Sequence, residues 1–172
     1  MVLTSPDFAD GTLLPFECAY DSENRSPALS WVDAPYGVKS FAVLCQDPEG
    51  PAGRPWTHWL AWNIPGAETR FAAGLPQYPR LEGGIEQGLN DYLEFGWGGP
   101  CPPVGVHTYS IMLFALDAFP APVAPTASAL LAAIADHTLG SARLEASYGE
   151  GHVFSSLVAI GKDARAAYSR SA

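Results

Sequence analysis

The chain has 172 residues, a formal net charge of −9 at pH 7, 48% apolar residues and only 16% charged ones. That is a globular composition, long enough for one domain with a real core, and it excludes a disordered chain. The acidic balance argues against nucleic acid and anionic membranes as partners, since both draw on basic patches, and no apolar run is long enough to predict stable membrane insertion.

The N-terminal stretch MVLTSPDFADGTLLPF has neither a basic start nor a long apolar run, so no secretion signal is expected. SFAVLCQD (40–47) predicts a strand with Phe41, Val43, Cys45 and Asp47 on one face. WTHWLAWNI (56–64) predicts a second, with Trp56, His58, Leu60 and Trp62 on one face and Thr57, Trp59 and Ala61 on the other. VHTYSIMLFALD (106–117) is the longest strand candidate. It places His107, Tyr109, Ile111 and Leu113 together, and both its faces turn apolar toward the C-terminal half, as in a central strand covered on both sides. One helix is predicted over 127–139, with Thr126 as N-cap and Gly140 as its stop. A strand over 141–148 closes a domain of residues 1–148, and residues 149–172 form a C-terminal extension, helical or a docking tail. Proline-rich turns separate the strands and no internal repeat occurs. The predicted class is mostly β: a sandwich with a large central sheet, Greek-key connections and one or two peripheral helices.

The cysteines, Cys18, Cys45 and Cys101, are odd in number and lack metal-ligand spacing. They predict reduced thiols in a cytoplasmic protein, with no metal centre and no cofactor.

Three stretches carry candidate chemistry. In DPEGPAGRPWTHW (47–59), Asp47 and Glu49 lie beside Arg54 and His58, a possible charged network. A carboxylate on an apolar strand face needs a partner. An Asp before Pro also caps turns, so both readings stand. His58, flanked by Trp56 and Trp62, fits either a core position or the wall of an aromatic pocket. In GWGGPCPPVGVHTY (96–109), glycines allow close backbone approach and prolines fix the loop. His107 and Tyr109, two apart, can both donate to an oxygen ligand. No Gly-Lys-Ser/Thr ending follows, which argues against a nucleotide P-loop. The competing reading is a rigid strand connection. Proline-flanked Cys101 fits packing better than nucleophilic attack.

Taken in order, SPALSW (26–31), KSFAVLCQDPEGP (39–51), HWLAWNIP (58–65), QGLNDYLEFGWGGPCPP (87–103) and GVHTYSIMLFALD (105–117) resemble the phosphatidylethanolamine-binding protein family, which includes the Raf kinase inhibitor protein, and in particular its bacterial branch. The likeness spans residues 5–148. It implies a small preformed anion pocket with Asp47 as its carboxylate, His58 and His107 as its histidines, Tyr109 as a hydroxyl and Trp56 as an aromatic wall. It places the Gly/Pro loop along one side, with Gly99 and Pro100 at the rim, and a cis bond at Gly50–Pro51. Three positions depart from the family pattern: Glu49 stands for Asp, Thr108 for Arg and Trp97 for Tyr. All three bear on the rim.

The resemblance implies a cytoplasmic binding protein for a small anionic or phospho-group ligand, in the manner of a kinase or protease inhibitor that regulates a protein partner, and a homodimer. An enzyme using Asp47, His58 and His107 for general acid–base hydrolysis, dehydration or cyclisation is the alternative. Two histidines charged near pH 7 would attract phosphate, while Asp47 would orient one of them or meet a ligand ammonium.

Overall fold

The computed structural model describes residues 1–149. The segments densest in β-branched and aromatic residues become its central strands. β4 (Ser40–Asp47) has the predicted bounds, and β5 (Trp56–Pro65) and β8 (Val106–Leu116) end within one residue of theirs. β4 lies between β5 and β8 and is antiparallel to both. β9 (Thr138–Gly149) pairs antiparallel along β8. Short strands β2 (Thr12–Leu13) and β7 (Glu86–Gln87) complete a sheet of order β2-β9-β8-β4-β5-β7. A smaller sheet has the order β1-β3-β6, from β1 (Val2–Thr4), β3 (Leu29–Val32) and β6 (Arg70–Phe71). After the β4–β5 hairpin the chain leaves the large sheet and returns to place β8 on the far side of β4, a Greek-key connection.

Both faces of β4 are buried, as a central strand requires. Phe41, Val43 and Cys45 pack with Ile111 and Leu113 against Leu29, Trp31 and Phe71 of the small sheet. Trp31 meets Phe41 and Phe71 edge-on, with ring centroids 5.4 and 5.7 Å away. On the other face Ala42 and Leu44 join Leu130 and Ile134 of α1 (Ala127–Ile134).

β5 departs from the predicted alternation. Cys45 pairs with Trp59 but Gln46 with Thr57, so His58 is an extra residue in the ladder. This bulge lets His58 share a side with Trp59 and Ala61 instead of with Leu60 and Trp62. Leu60 and Trp62 lie under α1, on the face opposite to the one where Trp59 and Ala61 join the inter-sheet core. A second register shift, between Ala61 and Ile64, brings Ile64 back to the inter-sheet core, with Asn63 in the left-handed region at φ 58°.

Thr126 caps α1 as predicted, its side chain accepting from the Ala129 N–H at 3.4 Å. The helix ends at Ile134, well before Gly140. His137 N–H donates to Ile134 O at 3.0 Å and the Thr138 hydroxyl donates to the same carbonyl at 2.9 Å, which closes the turn. Thr138 then opens β9, and Gly140 sits within that strand. No cis peptide occurs among the described residues, so Gly50–Pro51 is trans, and Pro51 opens a 3-10 turn over Pro51–Gly53. Apart from Gly149, the predicted C-terminal extension lies outside the described residues. No described helix is long and apolar enough to cross a membrane.

Candidate functional site

Antiparallel pairing sets where the chemistry gathers. β4 ends at Asp47, where its neighbours β5 and β8 begin. The end of one strand and the starts of two others therefore bring Asp47, Trp56, His58, His107 and Tyr109 to one cavity of about 290 Å³. These five sequence-predicted residues all line it.

Asp47 is 4% exposed and fills both of its candidate roles. One carboxylate oxygen accepts the Glu49 N–H at 2.8 Å, a turn cap, and the other accepts from His107 Nδ1 at 2.6 Å. With both oxygens engaged inside the protein, Asp47 orients His107, and the geometry favours that role over meeting a ligand ammonium. The pairing fixes the proton on His107 Nδ1 and leaves Nε2 as the nitrogen for the cavity.

His58 is 2% exposed and bonds differently. Its Nδ1–H donates to Gly98 O at 2.6 Å, and its ring meets Tyr109 edge-on at 5.0 Å. Burial pulls its pKa below 6.5, outweighing the Gly98 carbonyl and the charge of Asp47, so His58 is neutral at pH 7. The expectation of two charged histidines is thereby corrected. Burial pushes the Tyr109 hydroxyl far up, with Asp47 adding to it, and keeps it a donor. The unfolded chain binds the His58 proton more readily than the fold does. Stability should therefore be lost as pH falls from 6.5 toward the lower folded value. Urea midpoints across that window should show this loss, and His58→Gln should flatten it.

The other candidates lie elsewhere. Arg54 does not join Asp47 and Glu49. Its guanidinium binds Asp91 at 3.1 Å, and Asp91 also accepts the Thr57 N–H. Among the described residues, no Lys or Arg lines the cavity. Gly99 and Pro100 are buried and off its lining, which corrects their predicted place at the rim. A Cβ on Gly99 would fall 2.0 Å from Cys18 O, and one on Gly98 2.6 Å from Asn90 Nδ2. These glycines make room for other protein segments. Trp97 is in the core, its indole donating to Cys18 O at 3.0 Å, so the exchange of Tyr for Trp there does not touch the cavity. Thr108 is likewise off the lining.

The wall contributed by the Gly/Pro loop is instead Cys101, Pro102 and Pro103, with Pro51 and Tyr92 completing the cavity. Tyr92 donates to Gly99 O at 3.1 Å and stacks on Tyr20 at 4.0 Å. It sits in a turn, where no period marks it, and its nearness to the Gly/Pro run is the signal that sequence offers. The three cysteines are free thiols. Burial, then the charge of Asp21, raises the Cys101 pKa, which disfavours the thiolate a nucleophile needs.

Asp47, Glu49 and His107 bring one potential ligand atom each within 4.8 Å of one another, a set that a divalent cation could use. A cation bound through His107 Nδ1 would first have to displace the proton shared with Asp47.

The phosphatidylethanolamine-binding protein family model matches residues 4–149. A UPF0098 protein of Methanothermobacter thermautotrophicus is 41% identical over 153 residues, covering 88% of this chain and all of that one. The UPF0098 protein YbhB of Escherichia coli is also 41% identical, covering 68% of this chain and 78% of its own. Among solved structures, YbcL of Escherichia coli, described as a member of the mammalian PEBP family, superposes with a TM-score of 0.79 at 30% identity, over 85% of this chain and 96% of that one. The PEBP homolog CT736 of Chlamydia trachomatis gives 0.78 at 30% identity, over 87% and 97%. Fold, strand ends and sequence likeness converge: the chain belongs to the phosphatidylethanolamine-binding protein family.

Proposed function

We propose that the chain is a binding protein whose Asp47–His107–His58 cavity takes a small anionic or phospho-group ligand. The observation that carries this reading is the fixed His107. Asp47 holds its Nδ1 at 2.6 Å, so the Tyr109 hydroxyl and, when the ring is protonated, His107 Nε2 are preset as donors to one oxyanion. A rigid Pro102–Pro103 wall keeps the ordering cost of binding low. The resemblance extends the reading to a cytoplasmic homodimer that regulates a protein partner.

The test is an NMR titration of the His58 and His107 ring signals with phosphoethanolamine. Both rings should shift, with a dissociation constant of about 1 mM or tighter, equivalent to about 4 kcal/mol. If neither ring responds, the reading fails.

One observation supports a second reading. An imidazole held at Nδ1 by a carboxylate, with Nε2 facing a cavity, is arranged for general acid–base transfer. An enzyme would turn a phosphoester over and lose that turnover in His107→Ala. A binding module releases the ester unchanged.

A further inference from the structure

Resting on the phospho-ligand reading, we propose that the cavity selects an oxyanion that carries its own proton, a phosphomonoester monoanion or dihydrogen phosphate, and that His58 is the residue that reads the proton. Two separate features lead there.

The first is the hydrogen-bond polarity of His58. A backbone carbonyl can only accept, so the 2.6 Å contact with Gly98 O assigns the ring proton to Nδ1. Nε2 of the neutral ring is then a lone pair. A fully deprotonated oxyanion offers only lone pairs in return, and two acceptors facing each other in a buried site repel. A P–OH group supplies the missing donor. Tyr109, 2% exposed, remains to donate to another oxygen, and His107 Nε2 donates as well when the ring paired with Asp47 is protonated.

The second is charge. The groups facing His58 are the rings of Tyr109 and Tyr92, the carbonyls of Gly98 and Gly99, and the carboxylates of Asp47 and Asp91. The nearby guanidinium of Arg54 is spent on Asp91. No Lys or Arg of the described residues lines the cavity, while the Asp47 carboxylate does. A doubly charged ligand would enter without a permanent counter-charge, so the singly charged form is favoured on this ground too.

The consequence separates ligand classes that share a phosphoryl group. Monoesters and inorganic phosphate can hold a proton near neutral pH, since the second ionisation of a phosphomonoester lies at about pH 6. Diesters, including the linkage in a phospholipid, and sulfate cannot. A phosphodiester with an amine head could satisfy His58 only through its ammonium.

Calorimetry or ring-proton NMR on the full chain at pH 6 should compare methyl phosphate, inorganic phosphate, dimethyl phosphate and sulfate. Methyl phosphate and inorganic phosphate are expected to bind at least tenfold tighter than the other two. Tighter binding of methyl phosphate than of inorganic phosphate would assign the ester group to the Pro102–Pro103 wall. Between pH 6 and pH 8 the apparent affinity for methyl phosphate should fall by about 50-fold relative to sulfate, as the monoanion is depleted. Sulfate stays a dianion across that range and so reports the protein's own titration. In His58→Gln, whose amide can donate, the phosphate-over-sulfate preference should collapse. Equal binding of sulfate or dimethyl phosphate by the native chain would overturn the proton requirement and leave the anion pocket standing. Binding of none of the four would overturn both.

Discussion

Gly99→Ala is expected to be among the most damaging single-methyl changes in the chain, costing about 3 kcal/mol. The added Cβ would lie 2.0 Å from Cys18 O, 2.7 Å from Tyr20 N and 2.8 Å from Ala19 C. All three are backbone atoms, so no side-chain rotation relieves the overlap. The 96–103 loop and the 18–24 segment must separate instead. That strains the bonds joining them: Tyr20 N–H to Pro100 O at 3.0 Å, Gly99 N–H to Asn24 Oδ1 at 2.8 Å and the Trp97 indole to Cys18 O at 3.0 Å. Overpacking costs about 1–3 kcal/mol and each lost hydrogen bond about 1 kcal/mol, which sets the scale. Gly105→Ala is the comparison. Its Cβ would meet nothing within 4 Å, and only its φ of +72° opposes a side chain, at a cost of about 1–2 kcal/mol. Urea unfolding of both variants gives the answer. If Gly99→Ala is no worse than Gly105→Ala, bare backbone at Gly99 is not a packing requirement, and its role returns to the cavity.

That contrast shows what the sequence could and could not disclose. The run GWGGPCPP signals a backbone under tight spatial demand, but not which neighbour imposes it. Four strands were legible from their residue types, and three of them carry the gathering of Asp47, Trp56, His58, His107 and Tyr109 at one sheet end. The facing of β5 was not. Strict alternation assumes an unbroken ladder, and the extra residue at His58 carries no mark such as a glycine or proline. The end of α1 was hidden for a related reason. Ala135 and Asp136 are compatible with more helix, and the stop comes from bonds that His137 and Thr138 make back to Ile134. Tyr92, Cys101, Pro102 and Pro103 reach the cavity from loops, where neither period applies. The protonation state of His58 depends on how deeply it is buried, which only the packed fold reveals.

The Asp47–His107 pair joins fold to function, and a double-mutant cycle separates its two contributions. His107→Ala leaves Asp47, 4% exposed, as a buried carboxylate without its ionic partner. Removing one member of such a pair costs about 3–5 kcal/mol, and the 20% exposure of the His107 side chain places this case at the lower end. Asp47→Asn removes the charge and keeps the shape. The amide oxygen can still accept one N–H, so the loss is that of charge-assisted bonding, about 1.5–3 kcal/mol. Because both variants break the same 2.6 Å contact, the double variant should be less destabilised than the sum of the two, by at least about 1 kcal/mol. Additive losses would show that the pair is not coupled and that His107 is held by its strand alone. The functional reading needs a further signature. In the native chain, ring nitrogen shifts should report a proton on His107 Nδ1, and Asp47→Asn should let rings with Nδ1 unprotonated appear. A variant that stays folded yet loses this fixed proton should bind methyl phosphate more weakly, despite having shed a negative charge that repels it. Tighter binding in Asp47→Asn would mean that the carboxylate acts on the ligand mainly through its charge. Weaker binding would mean that its main effect is to aim His107.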